Sequence, residues 1–300
     1  MCYCMSCSCK SSKKNIVNDN LGKLYIVATP IGNLKDMTFR AIDVLKEVDL
    51  IAAEDTRHTK ELLNHFSIDT AVTSYHEHNK YEKASKIIEE MLSGSNVAIV
   101  TDAGTPIISD PGNELVKLAI KEGIEVIAVP GACACINALV VSGLDASSFV
   151  FVGFLSEDNK KRKEQLNELK NETKTLLFYV SPHNLKKDLE TIISVFGEER
   201  LASVSREMTK LHEETIRGSL KEIYDLYDKK DIRGEFVLVL AGIDREELIA
   251  IEHSKWSEFS IEEHYKMYIE KGISDKEAMK KVASDRGIDK REVYKLLKVK

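Results

Sequence analysis

The residues able to do chemistry fall into four short turns: Thr29-Pro30-Ile31-Gly32-Asn33, Glu54-Asp55-Thr56-Arg57-His58, Asp102-Ala103-Gly104-Thr105-Pro106 followed by Ser109-Asp110-Pro111-Gly112, and Pro130-Gly131-Ala132. Each follows a short apolar run. Glycine lets a backbone approach a ligand closely, and the adjacent carboxylates and hydroxyls supply directed polar groups. One Pro-Gly turn is most often only a turn; several of them together describe a pocket for a small polar ligand. The usual signatures of other chemistries are missing. No G-x-G-x-x-G follows the first apolar run, and no G-x-x-x-x-G-K-[ST] occurs, so dinucleotide and nucleoside-triphosphate cradles lose support. Without H-E-x-x-H or G-x-S-x-G, neither a zinc hydrolase nor a serine nucleophile is indicated, and no metal is expected. His76 and His78 read as solvated or structural.

Elements that would hold these turns on one edge can be read from the apolar periodicity. Strands are expected at Leu24–Ala28, Leu50–Ala53, Ala71–Ser74, Val97–Val100 and Glu125–Val129, with helical patterns between them. Such alternation is that of a parallel α/β domain, assigned to residues 23–147, which binds ligands at the carboxyl ends of its strands. Asp110 and Pro111 are expected to cap and open the helix after the third turn, and Gly94 and Gly123 to close helices. A second α/β domain, residues 148–243, is expected from strands at Phe149–Gly153, Leu176–Val180, Leu201–Arg206 and Phe236–Ala241, with antiparallel pairing and a cleft facing the first. Within it Glu157 to Lys163 reads as an exposed connection. Residues 244–300 read as a helical appendage in which Asp275–Ser284 and Lys290–Leu297, joined at Gly287, form a helix-turn-helix pair.

With 43 Lys and Arg against 49 Asp and Glu in 300 residues, the net charge of −6 argues against coating nucleic acid by bulk charge and leaves only local basic patches. No apolar stretch has the length of a membrane span, and the polar amino-terminal segment lacks the apolar core of a signal peptide, so a cytoplasmic location is expected. Cys2, Cys4, Cys7 and Cys9 lie in residues 1–22, where Cys4-x-x-Cys7 has zinc or redox spacing but no apolar periodicity to fold against. That segment is expected to be a reduced tail. Cys133 and Cys135 are expected to pack near a turn.

The runs Leu24–Leu34, Ala53–Thr59 and Asp102–Gly112, joined by Ser205-Arg206-Glu207-Met208-Thr209-Lys210 and Gly234-Glu235-Phe236, resemble those of the tetrapyrrole methylase superfamily, and within it the bacterial enzymes that methylate a cytidine ribose of 16S ribosomal RNA. The resemblance runs from about Leu24 through Gly242 and into the helical tail. It implies S-adenosylmethionine held between two α/β domains, a homodimer, and a ribose 2'-hydroxyl as methyl acceptor in 16S rRNA or the 30S subunit. By matching position, the donor is lined by Thr29, Pro30, Gly32 and Asn33, by Asp102, Ala103, Gly104, Thr105 and Pro106, and by Gly131, Ala132 and Cys133, with Tyr179 and Ser181 facing the same cleft. The chain departs from the family at Pro130-Gly131-Ala132, where Pro-Gly-Pro is usual, and at Val180, where Glu is common.

Methyl transfer to a hydroxyl needs in-line positioning and a proton acceptor. Glu54 and Asp55 are the acceptors expected at the cofactor edge, with Arg57 orienting a carboxylate or holding a phosphate; an ion-pair network capping the next helix is the competing explanation for these residues. Lys160, Lys161, Arg162 and Lys163, together with Arg206, are the expected RNA contacts, joined by the basic end Lys290, Arg291, Lys295, Lys298 and Lys300. Two other functions fit parts of this pattern: methylation of a tetrapyrrole carbon by the same fold, and a nucleic-acid-binding regulator that senses a nucleoside-like ligand without chemistry.

Overall fold

A computed structural model describes residues 21–229 and 232–298; the expectations for Cys2, Cys4, Cys7, Cys9 and Lys300 lie outside the described residues. The first layer runs β1 (Lys23–Val27), α1 (Phe39–Glu47), β2 (Leu50–Ala53), α2 (Thr56–His65), β3 (Ala71–Ser74), α3 (Lys80–Leu92), β4 (Val97–Val100), α4 (Asn113–Lys121) and β5 (Glu125–Val129). Its strands are all parallel, in the order β3-β2-β4-β1-β5. Alternate residues feed opposite faces, as the two-residue period of a strand requires. Leu24, Ile26, Val97 and Ile99 pack under α3 and α4 against Ile87, Met91 and Leu115, whereas Val27, Ile51, Ala98 and Val100 pack under α1 and α2 against Ala41, Leu45 and Leu63. Neighbouring β1 and β4 thus send their following helices to opposite faces. The loops after them part at that point and open a crevice, which is where an open parallel sheet binds ligands.

α5 (Ala134–Ser142) follows β5 in the chain, yet packs on the second sheet through Cys135, Ala138 and Leu139. That sheet comprises β6 (Phe149–Phe154), β7 (Thr175–Val180), β8 (Leu201–Arg206), β9 (Glu214–Ser219) and β10 (Phe236–Leu240), interleaved with α6 (Asn159–Glu168), α7 (Leu185–Phe196) and α8 (Leu220–Asp228). The order is β6-β7-β10-β8-β9, parallel only between β6 and β7. Phe236, Leu238 and Leu240 face α6, α7 and α8; Val237 and Val239 face α5 and the first layer's Ile31. β9 is an edge strand absent from the sequence reading: its single large apolar residue, Ile216, gives a half-buried edge strand no apolar alternation to recognise. Beyond it, α9 (Arg245–Ser254), α10 (Ile261–Glu270), α11 (Asp275–Arg286) and α12 (Lys290–Lys298) form the appendage, with Gly287 in the left-handed region closing α11. No helix among the described residues is long and apolar enough to cross a membrane.

Two local expectations are corrected. Glu157 to Lys163 is not merely a connection: Asp158 caps α6, which begins at Asn159. Arg162, expected at the RNA surface, is fully buried. Its Nε lies 3.0 Å from Asp188 Oδ1, and its terminal nitrogens donate to Asn159 Oδ1 and the Glu157 carbonyl. The helical period explains the reversal, since Arg162 and Leu166, four residues apart, share the buried face of α6 while Lys160, Lys161 and Lys163 stay exposed.

A buried charge that loses its partner is costly, whereas exchanging both members for apolar residues is often neutral. Arg162→Met is therefore expected to lower unfolding stability by about 3–5 kcal/mol in urea titrations, and Arg162→Met with Asp188→Leu to recover most of it.

Candidate functional site

The four turns converge because the third is hydrogen-bonded to the other three. Thr29 and Gly104 form an isolated antiparallel bridge, N–H to carbonyl at 2.9 and 3.1 Å, and Thr29 Oγ1 donates to the Thr101 carbonyl at 3.0 Å. Thr101 Oγ1 donates to Glu54 Oε2 at 2.9 Å, and the Asp55 N–H donates to Asp102 Oδ1 at 3.1 Å. Thr105 Oγ1 donates to the Ala132 carbonyl at 3.0 Å. Gly131 lets the fourth turn close on the end of β1: a Cβ there would stand 2.9 Å from the Ala28 Cβ. Gly104, Ile107, Ser109 and Gly112 all have positive φ, which is a rare state for a β-branched residue such as Ile107. Backbone held in such states is characteristic of a segment shaped for a ligand.

Between this edge and the second sheet lies a cavity of about 400 Å³. From the first layer it is lined by Ile31, Glu54, Thr101, Asp102, Ala103, Gly104, Thr105, Ile108, Ser109 and Asp110; from the other side by Ala134, Phe154, Tyr179 to Pro182, Met208 and Glu235 to Val237. Of the residues expected to bind a cofactor, Asp102, Ala103, Gly104, Thr105, Tyr179 and Ser181 therefore stand on its wall. Thr29, Pro30, Gly32, Asn33, Pro106, Gly131, Ala132 and Cys133 do not line it. Thr29 and Ala132 serve as hydrogen-bond partners of the wall. Gly32 lies under Lys210, whose Cγ would be 2.4 Å from a Cβ at that position. Lys210 is itself held by Glu207 Oε1 at 3.0 Å and Glu235 Oε2 at 2.9 Å, so this side chain ties the first turn to the rim of the second sheet. Arg206, expected as an RNA contact, donates from Nε to the Arg233 carbonyl at 2.7 Å.

Asp55 and Arg57 are not on the cavity wall. Asp55 caps α2 by accepting from the Arg57 N–H at 2.8 Å, and its carboxylate takes a two-point contact from the Arg57 guanidinium, at 3.3 and 3.0 Å. That contact, reinforced by the Arg57 N–H, holds its carboxyl down at about 2, which makes it a weak proton acceptor. The helix-capping alternative thus describes Asp55, while Glu54 faces the cavity.

Asp110, expected as the cap of α4, stands elsewhere. It does not cap α4, whose N-cap is Gly112 without any side-chain bond. It lines the cavity instead, and burial, reinforced by the Glu54 and Asp102 charges and opposed by the neighbouring Thr101 hydroxyl, raises its carboxyl to about 6. The Asp-Pro signal for a helix start is strong in one dimension; that the carboxylate is drawn toward two others depends on the fold. Phe154, Met208, Glu235 and Phe236 also line the cavity; the last three belong to runs that carry the family resemblance, but nothing in their spacing relates them to the first layer. Among the described residues no group of three His, Cys, Asp or Glu could hold a metal ion.

Comparison with known proteins agrees with this geometry. Residues 23–224 match the family model Tetrapyrrole (Corrin/Porphyrin) Methylases. A protein of Halalkalibacterium halodurans named ribosomal RNA small subunit methyltransferase I is 50% identical over 278 residues, covering 93% of this chain and 95% of that protein. A Bacillus subtilis protein of the same name is 48% identical over 281 residues, covering 94% and 96%. Among solved structures, uroporphyrin-III C-methyltransferase from Thermus thermophilus complexed with S-adenyl homocysteine shares the fold, with a TM-score of 0.52 at 18% identity, over 77% of this chain and 100% of that one. The chain belongs to the tetrapyrrole methylase family.

Proposed function

We propose that this chain transfers a methyl group from S-adenosylmethionine to the ribose 2'-hydroxyl of a cytidine in 16S ribosomal RNA. The observation that carries the reading is the cavity itself: three carboxylates, Glu54, Asp102 and Asp110, on one side, and Phe154, Met208 and Phe236 on the other. A cationic ligand with a flat aromatic part suits that division, and the volume is in the range of small-molecule sites. The relatives named for methylating small-subunit RNA support the choice of acceptor.

The donor supplies an electrophilic methyl group on a positively charged sulfur. Asp102 and Glu54, each fixed by a hydrogen bond to the chain, would stabilise that charge without reorganisation. The Gly104 N–H is spent on Thr29, so Gly104 shapes the wall and offers a ligand no N–H. Asp110 accepts the proton of the ribose hydroxyl; a carboxyl near 6 is ionised at neutral pH yet far more basic than Asp55. Exposed Lys160, Lys161 and Lys163 on α6, with Lys290, Arg291, Lys295 and Lys298 of α12, hold RNA phosphates. The chain works as a homodimer in the cytoplasm. Ile136, Val140 and Val141 of α5, 41%, 71% and 37% exposed, and Phe149, 40% exposed, form the apolar face that a second copy covers.

Purified protein is expected to incorporate methyl from S-adenosylmethionine into 30S subunits, mapped as a ribose link resistant to alkaline hydrolysis; binding of the donor with no transfer to any RNA would sink the reading. Asp110→Asn is expected to reduce kcat by about 10²–10⁴-fold with donor affinity changed only a few-fold. The wild-type rate should fall about tenfold per pH unit below about 6, because protonation removes the base, and the variant should lose that limb. The sign for stability is opposite: a raised carboxyl favours the protonated native state, so its contribution declines as pH rises through 6, and Asp110→Asn should be the more stable protein above that pH. Asp55→Ala should lower the thermal unfolding midpoint slightly through the lost cap and leave turnover within a few-fold. Val140→Glu is expected to halve the mass measured by sedimentation.

A further inference from the structure

The fourth turn carries a pair of thiols that the transfer reaction does not use. Cys133 is the N-cap of α5 and Cys135 its second residue, and their sulfurs lie 3.5 Å apart. Cys133 is partly exposed, while Cys135 is buried among Ile31, Leu139, Met208 and Val237. Two cavity residues are in reach of the pair: the Thr105 hydroxyl beside Cys133 and the Tyr179 phenol beside Cys135. From this juxtaposition we infer that Cys133 and Cys135 form a redox-modifiable dithiol, closed to a disulfide by hydroperoxides, whose closure distorts the wall of the donor cavity.

Cys133 is the attacking sulfur. The hydrogen bond from Cys135, helped by the Ile136 N–H at the start of α5, lowers its thiol, while the same contact and burial raise that of Cys135. A low thiol on a partly exposed cysteine beside a second one is the arrangement of a peroxide-sensing pair. The Cys133 thiolate attacks one peroxide oxygen, the O–O bond breaks and hydroxide leaves, giving a sulfenic acid. The Cys135 sulfur then attacks the sulfenic sulfur, the S–O bond breaks and water leaves as Cys135 gives up its proton. The peroxide is reduced and the two thiols are oxidised by two electrons. Bonding brings the sulfurs to about 2.05 Å, a closure of about 1.5 Å that must pull Cys135 away from Tyr179 or Cys133 away from Thr105.

The chemistry of the pair stands independently of the proposed function; its effect on donor affinity rests on that reading. The test uses the full-length chain with C2S, C4S, C7S and C9S, so that only the pair is redox-active. After hydrogen peroxide, the peptide containing both cysteines should lose two hydrogens by mass and resist alkylation. Calorimetric affinity for S-adenosylmethionine should drop at least fivefold and return with dithiothreitol. In Cys135→Ser, Cys133 should instead be trapped as a sulfenic acid by dimedone. A pair left reduced by peroxide that oxidises free cysteine overturns the proposal, as does a disulfide that leaves donor affinity unchanged. Reduced protein blind to the donor refutes the functional reading, and the mass measurement then decides the disulfide alone.

Discussion

The hydrogen bonds made by Thr101, Asp102, Gly104 and Thr105 are the constraint on which the site depends. One segment, leaving the fully buried strand β4, contacts the turns after β1, β2 and β5 within a few residues. Its anchor resists deformation, because Val97 to Val100 are packed on both faces between α3 and α4 on one side and α1 and α2 on the other. The chain then leaves that anchor through positive-φ states at Gly104, Ile107, Ser109 and Gly112. Each non-glycine residue in such a state costs on the order of 1–3 kcal/mol, and the bonds to the neighbouring turns are what oppose its relaxation.

Those bonds set the electrostatics as well as the shape. Thr101 fixes Glu54 and the Asp55 peptide fixes Asp102, which places two carboxylates beside the cavity wall where Asp110 is half-buried. Burial, reinforced by those like charges at close range, raises the Asp110 carboxyl. Asp55, one residue from Glu54, has the opposite fate because α2 begins there and Arg57 turns back onto it. Asp55 and Asp110 thus acquire opposed proton affinities, the cause being a helix terminus for the first and a crevice between layers for the second.

The second sheet closes the cavity in two ways. Alternation along β10 puts Val237 under α5 and Phe236 toward the other helices, so one strand serves both cores while its start borders the pocket. Lys210, held by Glu207 and Glu235, reaches over Gly32 and joins the sheet's rim to the first turn. Because α5 follows β5 in sequence but belongs by packing to the second sheet, the two layers share their core and not only a linker.

What the sequence determined by itself is whatever depends on neighbours in the chain. The five parallel strands and most helices were legible because apolar period and caps are local, and the turns were legible because glycine, proline and carboxylates follow each strand. β9 was not, since a polar edge strand exists only by virtue of the partner it pairs with. The site was legible as a set of turns but not as an assignment of roles. Arg162 sits in a lysine run and is buried; Asp110 precedes a proline and lines a cavity; Asp55 adjoins a cavity residue and caps a helix. In each case the deciding quantity is the free energy of a charge in its surroundings, which varies with burial and with groups distant in sequence. Only the tertiary structure brings those groups together, so only it could choose among side chains that the sequence leaves equivalent.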